Sequence, residues 1–410
     1  MQNINTLADF DFIGKKVLVR VDLNVPVLHG KIVDTARIER IIPTIEYLVE
    51  QKAKVILISH FGRPKGKHDP SLSLAPIVDA LNDFLPKKNP VKFSVDCQGI
   101  SASTAVDQLK DGQIILLENL RFYPGEKAND IDFTKELASL GDIYINDTFS
   151  CSHRSHASIT GLPNMLPSGI GLLFQEELEN IEASLTSPDK PFAAIVGGSK
   201  VSTKLTLLEN LVEKTDLLVI GGGMANTFLK AQGVSVGKSL CENDLVDTAK
   251  VIMAKALKHK CKIILPRDAI VAEKLENPEH CEVVDIHEVP EDKMILDLGP
   301  LTVSSIIEEL QNCKTIVWNG PLGAFEFRPF NVATESVARA VSGLTRKNVL
   351  ISIAGGGDVV AALKHSGLRE SFTYLSTAGG AFLEWLEGKV SPGIKSLQDN
   401  YTDKEKLKAS

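Results

Sequence analysis

The stretch KVLVRVDLNVP at residues 16–26 shows most clearly the sequence pattern from which the fold can be predicted. Its apolar residues run together rather than in alternation, which is typical of a strand buried on both faces of a sheet. After Thr35, apolar residues return at helical spacing, at Ile38, Ile41 and Ile45. A buried strand followed by an amphipathic helix is the repeating unit of parallel α/β sheets.

The same unit recurs along the chain. Nine such strands exceed what one open sheet comfortably holds, so the sequence predicts two doubly wound, parallel-sheet (Rossmann-like) α/β domains. A predicted helix at 174–185, ended by SPDKP at 187–191, would join them as a hinge helix. The other eight runs are KVILISH (54–60), IILLENL (114–120), DIYINDT (142–148), FAAIVGG (192–198), LLVIGGG (217–223), CKIILPRD (261–268), TIVWNGP (315–321) and VLISIAGGG (349–357).

Composition narrows the class of protein. The 410 residues are 43% hydrophobic and 24% charged, which excludes a disordered chain, and the formal net charge is −7. An acidic surface repels nucleic acid and anionic membranes, so we expect neither as a partner. No apolar run approaches the ~18 residues of a spanning helix, and there is no signal-peptide pattern. Six separated cysteines are expected to be free thiols, so we expect a cytoplasmic protein.

Ionic and polar residues follow the strands of the first half. Ligands of open α/β sheets bind beyond the carboxyl ends of the strands, so these residues are candidates. Four strand ends each supply a cation, which suggests a small, multiply anionic ligand, because arginine pairs with carboxylate and phosphate. The alternative is a set of surface arginines in ordinary ion pairs. The residues are Arg20, Asp22, Asn24, His60, Arg63, Arg121, His153, Arg154 and His156, with Arg37 in the first turn of the following helix.

Glycine follows the strands of the second half. Glycine lets a backbone approach a ligand closely, and helix N-termini present free N–H groups to phosphate. Lys200 and Lys204 lie one helical turn apart beside the first cluster, so the pattern indicates a polyphosphate nucleotide. The alternative is that the glycines only form tight strand–helix turns. The clusters are GGSK (197–200), GGG (221–223), NGPLG (319–323), AGGGD (354–358) and STAGGA (376–381).

Three other motifs carry less weight. The segment 233–239, GVSVGKS, resembles a P-loop but has three residues where that motif needs four, so we expect a loop. Cys151, His153 and His156 lack a fourth partner at zinc spacing. No G-x-G-x-x-G follows the first strand, which disfavours an NAD enzyme.

An anion site on one domain and a nucleotide site on the other indicate phosphoryl transfer across a cleft, with hinge closure.

Nine blocks in order resemble the phosphoglycerate kinase family over almost the whole chain. The resemblance implies reversible, Mg²⁺-dependent transfer of the acyl phosphate of 1,3-bisphosphoglycerate to ADP, giving 3-phosphoglycerate and ATP, in glycolysis and gluconeogenesis. It also implies a monomer. The blocks are KVLVRVDLNVP (16–26), SHFGRPKG (59–66), ENLRF (118–122), HRSHAS (153–158), GGSKVSTK (197–204), GGGMANTF (221–228), NGPLGAFEF (319–327), GGGD (355–358) and STAGGAFLEWLEGK (376–389).

The resemblance also implies domain limits and residue roles. The phosphoglycerate-binding domain would be residues 1–170 with the tail 391–410, and the nucleotide-binding domain 171–390. Phosphoglycerate would be held by Asp22, Asn24, Arg37, His60, Arg63, Arg121 and Arg154. Arg37, Lys200, Gly379 and Gly380 would act on the phosphoryl group in transfer. The nucleotide would meet Lys200, Lys204, Glu326 (at the ribose), Gly355, Gly356, Gly357 and Asp358, the last also binding the nucleotide's magnesium.

One departure and two alternatives stay open. Val359 stands where many family members have threonine, so a hydroxyl contact to phosphate is lost while the backbone N–H remains.

The acceptor carboxylate is already ionised at neutral pH, so direct in-line transfer needs no general base, and we expect no covalent phosphoenzyme. The alternatives are another ATP-dependent carboxylate kinase and an inactive nucleotide-binding homologue.

Overall fold

A computed structural model describes residues 3–28, 31–186, 188–276, 278, 280–376, 378 and 380–401. The strands are β1 (Lys16–Arg20), β2 (Val27–Leu28), β3 (Lys31–Ile32), β4 (Lys54–Ile58), β5 (Lys92–Ser94), β6 (Ile114–Leu117), β7 (Ile143–Asn146), β8 (Ser168–Ile170), β9 (Phe192–Val196), β10 (Leu217–Ile220), β11 (Lys262–Ile264), β12 (Asp268–Ala272), β13 (Glu282–Asp285), β14 (Met294–Leu298), β15 (Thr315–Asn319), β16 (Ile351–Gly355) and β17 (Tyr374–Ser376).

The helices alternate with these strands along most of the chain. They are α1 (Ala36–Glu50), α2 (Ile77–Phe84), α3 (Gly99–Asp107), α4 (Pro124–Ala128), α5 (Ile131–Ala138), α6 (Leu172–Thr186), α7 (Leu205–Lys214), α8 (Gly223–Ala231), α9 (Val246–Lys258), α10 (Pro300–Leu310), α11 (Val332–Arg346), α12 (Gly357–His365), α13 (Gly380–Leu386) and α14 (Pro392–Asp399). Within the part of the chain that is described, no helix is long and apolar enough to span a membrane.

The chain divides into two units. Unit 1 comprises Met1–Glu179 with Val390–Ser410, and unit 2 comprises Asn180–Lys389. The division lies within α6, nine residues beyond the limit expected at residue 170. The reason is packing, because the first turns of α6 belong to the core of unit 1. Phe174 is fully buried, its ring lies 5.3 Å from that of Phe149, and its amide donates to Asp147.

The sheet of unit 1 has six parallel strands in the order β5-β6-β4-β1-β7-β8. Both of its faces are covered. Val17 and Val19 of β1 pack into one apolar core with α1, whereas Leu18 packs into a second core on the opposite face with α3 and α5. Burial on both faces explains why the strand sequences are continuously apolar. The predicted parallel α/β fold is confirmed here.

The segment returning from unit 2 completes unit 1. The amide of Gly393 in α14 donates to the carbonyl of Ser152 at 2.8 Å, and the hydroxyl of Ser396 donates to the carbonyl of Thr160 at 3.0 Å. Helix α14 thus holds the backbone on either side of the His153–His156 segment.

Unit 2 contains a second six-stranded parallel sheet in the order β11-β10-β9-β15-β16-β17. A separate antiparallel sheet, β13-β12-β14, was not predicted. Strand β13 is largely exposed, whereas β12 is mostly buried but begins at Asp268, where the predicted run 261–268 ends. Strands β5, β8 and β17, of three residues each, were also not predicted.

Candidate active site

Arg20 ends β1 and is 1% exposed. Its guanidinium donates from Nε to the Ser158 hydroxyl at 3.0 Å, from Nη1 to the carbonyl of Val21, and from Nη2 to Nδ1 of His60 at 2.9 Å. Arg20 was predicted as one of the strand-end cations available to a ligand. That interpretation is wrong, because all three guanidinium nitrogens bond to the protein.

His60 follows β4 and is 2% exposed. A guanidinium can only donate, so Nδ1 of His60 accepts from Arg20 and the ring proton lies on Nε2. Burial, with the charges of Arg20, Arg121 and Arg154, holds the pKa of His60 well below its ordinary value. His60 is therefore a neutral ring with one N–H to offer.

Arg121 and Arg154 carry buried donors that the protein does not use. Arg121 donates from Nη1 to the carbonyl of Gly62 at 2.7 Å, and Arg154 donates from Nε to Nε2 of His153 at 3.2 Å. Within the described chain, Nε of Arg121, Nη1 of Arg154 and Nδ1 of His153 are buried without a hydrogen-bond partner. Burial, then Arg154 and Arg20, lowers the pKa of Arg121 to about 10. Unsatisfied, mutually repelling donors indicate a site for an anion.

His156 and Glu126 complete this cluster. Nδ1 of His156 lies 3.7 Å from Oε1 of Glu126, and burial, then Arg20, Arg121 and Arg154, lowers the pKa of His156 to about 3. The histidine is therefore neutral, and Glu126 alone cannot balance three arginines. The cluster keeps a net positive charge beneath the protein surface.

Asp22, Asn24 and Arg37 form an adjoining group. Nη1 of Arg37 contacts Oδ2 of Asp22 at 3.0 Å and the carbonyl of Asn24 at 2.8 Å. Oδ1 of Asn24 accepts from the amide of Gly62, whose carbonyl holds Arg121, so one loop ties both groups together. For Arg37, the structure therefore agrees with the alternative that these arginines form ordinary ion pairs. Arg63, next along the loop, is exposed.

Lys204 of unit 2 is bound into the strand ends. Its Nζ donates to the carbonyl of Gly197 and to Oδ1 of Asn319, each at 2.5 Å. Burial lowers the pKa of Lys204 to about 8, although the Asp358 carboxylate acts in the opposite direction. Nδ2 of Asn319 donates to the carbonyl of Gly355 at 2.6 Å. Sequence reasoning missed Asn319, although its place at a strand end beside a glycine was a usable signal.

Close backbone packing accounts for the glycines at the strand ends. A Cβ on Gly197 would lie 1.8 Å from the carbonyl oxygen of Pro321, and one on Gly222, at φ +66, would lie 2.6 Å from the Gly198 carbonyl. Gly355 is packed against Phe382, and Gly356 has φ +107. The turn alternative is therefore sufficient for these glycines, and they are not by themselves evidence of a nucleotide.

A cavity of about 390 Å³ lies beside these turns within unit 2. Its wall includes Leu296 and Leu322, and both Glu326 and Asp358 line it. Asp358 is exposed at the second position of α12, and no atom lies within 4 Å of a Cβ built on Gly357, the first residue of that helix. Apolar wall residues together with a carboxylate and an open helix N-terminus suit a ligand that has both an apolar ring and anionic groups.

Lys200, Gly379 and Gly380 are the remaining predicted site residues of unit 2. Lys200 is exposed just before the 3₁₀ turn Val201–Thr203, and Gly380 begins α13. Gly379 lies outside the described residues. The segment 233–239 follows α8 and contains no helix start, so the expected loop is confirmed. Over the described ranges, no three His, Cys, Asp or Glu side chains gather as metal ligands.

Comparisons with known proteins agree on one family. The family model for phosphoglycerate kinase matches residues 7–389. A phosphoglycerate kinase of Ruegeria sp. (strain TM1040) is 55% identical, covering 96% of this chain and 99% of its own, and one of Rhizobium meliloti (strain 1021) is 54% identical, covering 96% and 98%.

Solved structures agree as well. Phosphoglycerate kinase from Coxiella burnetii superposes with a TM-score of 0.88 at 42% identity, covering 97% of this chain and all of that one. The enzyme from Pyrococcus horikoshii OT3 gives 0.82 at 31% identity, covering 97% and 99%. The chain therefore belongs to the phosphoglycerate kinase family, a family of phosphotransferases.

Proposed function

We propose that this protein reversibly transfers the acyl phosphate of 1,3-bisphosphoglycerate to ADP, giving 3-phosphoglycerate and ATP, in glycolysis and gluconeogenesis. The observation that carries the proposal is the buried positive cluster of unit 1. Three arginines surround neutral His60, and three of the cluster's buried N–H groups have no acceptor among the described residues. A phosphorylated carboxylate supplies such acceptors, whereas a simple acid would leave most of the charge unbalanced.

We assign the acceptor to unit 1. His60, Arg63, Arg121 and Arg154 would bind its anionic groups, while Asp22 and Asn24 hold Arg37 at the edge of the site. The carboxylate needs no general base, so the protein contributes position and positive charge. Direct transfer without a covalent phosphoenzyme follows from this.

We assign the nucleotide to unit 2. Its base and ribose would occupy the 390 Å³ cavity with Glu326 at the ribose, and its phosphates would lie at Gly355–Gly357 and Lys204. The Asp358 carboxylate suits Mg²⁺, which takes one or two protein carboxylates and otherwise water and phosphate oxygens. The ion would neutralise phosphate charge during transfer.

Three further elements stay proposals. Arg37, Lys200 and the backbone at Gly379 and Gly380 would stabilise the phosphoryl group in transfer. Closure of the two units during turnover would bring a carboxylate on unit 1 and a phosphate on unit 2 together and exclude water. We also propose a cytoplasmic monomer, which the acidic charge and the free cysteines support.

A coupled assay with 3-phosphoglycerate, ATP and Mg²⁺ tests the function, with glycerate as the matched acceptor that lacks the phosphate. We expect saturable turnover of 3-phosphoglycerate and at least ~100-fold lower kcat/KM for glycerate, because buried cations would be left unpaired. No turnover by the pure protein would refute the proposal, and equal turnover of glycerate would favour another carboxylate kinase.

Arg37→Ala tests the transfer step, with Arg40→Ala as the control on the same helix. Arg40 pairs with Glu176 at 3.1 Å and is not among the predicted site residues. We expect Arg37→Ala to lower kcat strongly and leave ATP affinity nearly unchanged. An unchanged kcat would remove Arg37 from the transition state.

A further inference from the structure

A buried hydrogen-bonded chain lies behind His60. Glu126 in α4 is fully buried and accepts from the amide and the hydroxyl of Ser158, at 3.0 and 2.6 Å. The Ser158 hydroxyl has one proton, and this bond uses it, so its oxygen accepts from Nε of Arg20. Arg20 in turn donates to His60. The direction of every bond from Glu126 to His60 is therefore fixed.

We propose that Glu126 and Ser158 are positioning residues that act through Arg20 to hold His60 with its proton on Nε2, the ring nitrogen left for the anionic acceptor. This inference rests on the proposed function, since it gives His60 a substrate to meet. It goes further because it assigns a role to three residues that do not touch that substrate.

The geometry explains why an arginine is needed at this position. The planar guanidinium presents Nε, Nη1 and Nη2 in fixed directions, and these meet Ser158, Val21 and His60 respectively. A lysine would keep the charge but could not reach Ser158 and His60 in the same fixed geometry. The Tyr144 hydroxyl also donates to the Ser158 carbonyl at 2.6 Å, which anchors the serine from the strand β7 side.

The hydrogen-bonded chain from Glu126 to His60 also affects the charge of the site. The Glu126 carboxylate, reached through Ser158, compensates Arg20 within the core. Arg121 and Arg154 keep the donors that have no partner in the described chain. The cluster thus separates one arginine that orients His60 from two that remain available to an anion.

Histidine-selective ¹⁵N NMR of the free enzyme tests the proposal, because it reports which ring nitrogen carries the proton. The signal of His60 is the one lost in His60→Gln. Ser158→Ala removes the hydroxyl that links Glu126 to Arg20. Arg20→Lys keeps the positive charge but removes the planar guanidinium. Ser168→Ala is the matched control, because Ser168 is also buried in unit 1 and, among the described residues, its hydroxyl donates to the Leu166 carbonyl and not to the Glu126–His60 chain. KM and kcat are measured alongside.

We expect the proton of His60 on Nε2 in the wild type and in Ser168→Ala. In Ser158→Ala and Arg20→Lys we expect a mixture of tautomers and a KM for 3-phosphoglycerate raised about tenfold, the equivalent of one charge-assisted hydrogen bond. The KM for ATP stays constant, because the nucleotide is assigned to unit 2.

Three results would overturn the proposal: a wild-type His60 protonated on Nδ1, a wild-type imidazolium at pH 7, or an unchanged tautomer and KM in folded Ser158→Ala. Should Ser158→Ala not fold, the tautomer in Arg20→Lys decides in the same way. The NMR measurement needs no substrate. A protein that lacks turnover therefore refutes the proposed function without obscuring this result.

Discussion

The buried carboxylate of Asp297 is expected to make unit 2 more stable as the pH falls from 8 to 5. Asp297 lies in β14 of the antiparallel sheet, is 1% exposed, and accepts from the amide of Ala333 at the start of α11 at 2.9 Å. Its second oxygen is buried without a partner in the described chain. Burial raises the pKa of Asp297 from 3.8 to about 7, against the opposing effect of the backbone amides.

The sign follows from proton binding. The native state binds this proton more tightly than the unfolded chain does, so stability rises as the pH falls through 7 and levels off below the unfolded pKa near 4. With pKa values of about 7 and 3.8, the group contributes about 2.5 kcal/mol more at pH 5 than at pH 8. Asp297→Asn keeps the shape and removes the titration, so this part of the pH dependence disappears.

Urea unfolding followed by tryptophan fluorescence measures the effect. Both tryptophans, Trp318 and Trp385, belong to unit 2, so the fluorescence reports on unit 2, and the comparison with Asp297→Asn removes the contribution of other groups such as the buried Asp147. Asp292→Asn is the control, because that aspartate is exposed in the same region. An equal change in the free energy of unfolding between pH 8 and pH 5 in the wild type and Asp297→Asn would refute the reasoning.

Three further predictions concern single side chains. Val359 is fully buried in the core of unit 2, so Val359→Thr is expected to lower the free energy of unfolding by about 1–3 kcal/mol, because it buries a hydroxyl. The Kd for MgATP is expected to stay within about threefold of the wild-type value. A hundredfold gain in affinity, measured by calorimetry, would show that the hydroxyl reaches phosphate. Gly222→Ala is expected to lower the thermal midpoint sharply, because it combines positive φ with a 2.6 Å approach to the Gly198 carbonyl; a wild-type midpoint in differential scanning calorimetry would contradict that packing. Arg121→Met is expected to raise the KM for 3-phosphoglycerate about 100-fold without lowering the thermal midpoint, because it also removes repulsion from Arg154 and Arg20; an unchanged KM would remove Arg121 from the acceptor site.

The parallel sheets were predictable because their strands are apolar on both faces. Residues Ile114–Leu117 of β6 are all buried, and a four-residue apolar run is a signal that needs no knowledge of the neighbours. The strand β13, Glu282–Asp285, is largely exposed and carries no such run. Its place depends on pairing with β12, which is information that the local sequence lacks.

The site was predictable in outline for a similar reason. A cation at a strand end can be read from the sequence, but its use cannot. Arg20 and Arg121 both follow strands and look alike in the sequence. In the structure, Nε of Arg20 donates to the Ser158 hydroxyl, whereas Nε of Arg121 has no hydrogen-bond partner in the described chain. Only the long-range fold of residues 149–161 separates the two, so sequence reasoning placed both among the ligand-binding cations.

The contacts of α14 have a consequence for synthesis of the chain. Residues 392–399 are translated after all of unit 2, yet they hold the backbone at Ser152 and Thr160 beside the His153–His156 segment. All of unit 2, by contrast, is translated before residue 390. We therefore expect unit 2 to fold on the ribosome before α14 emerges and completes the proposed acceptor site of unit 1.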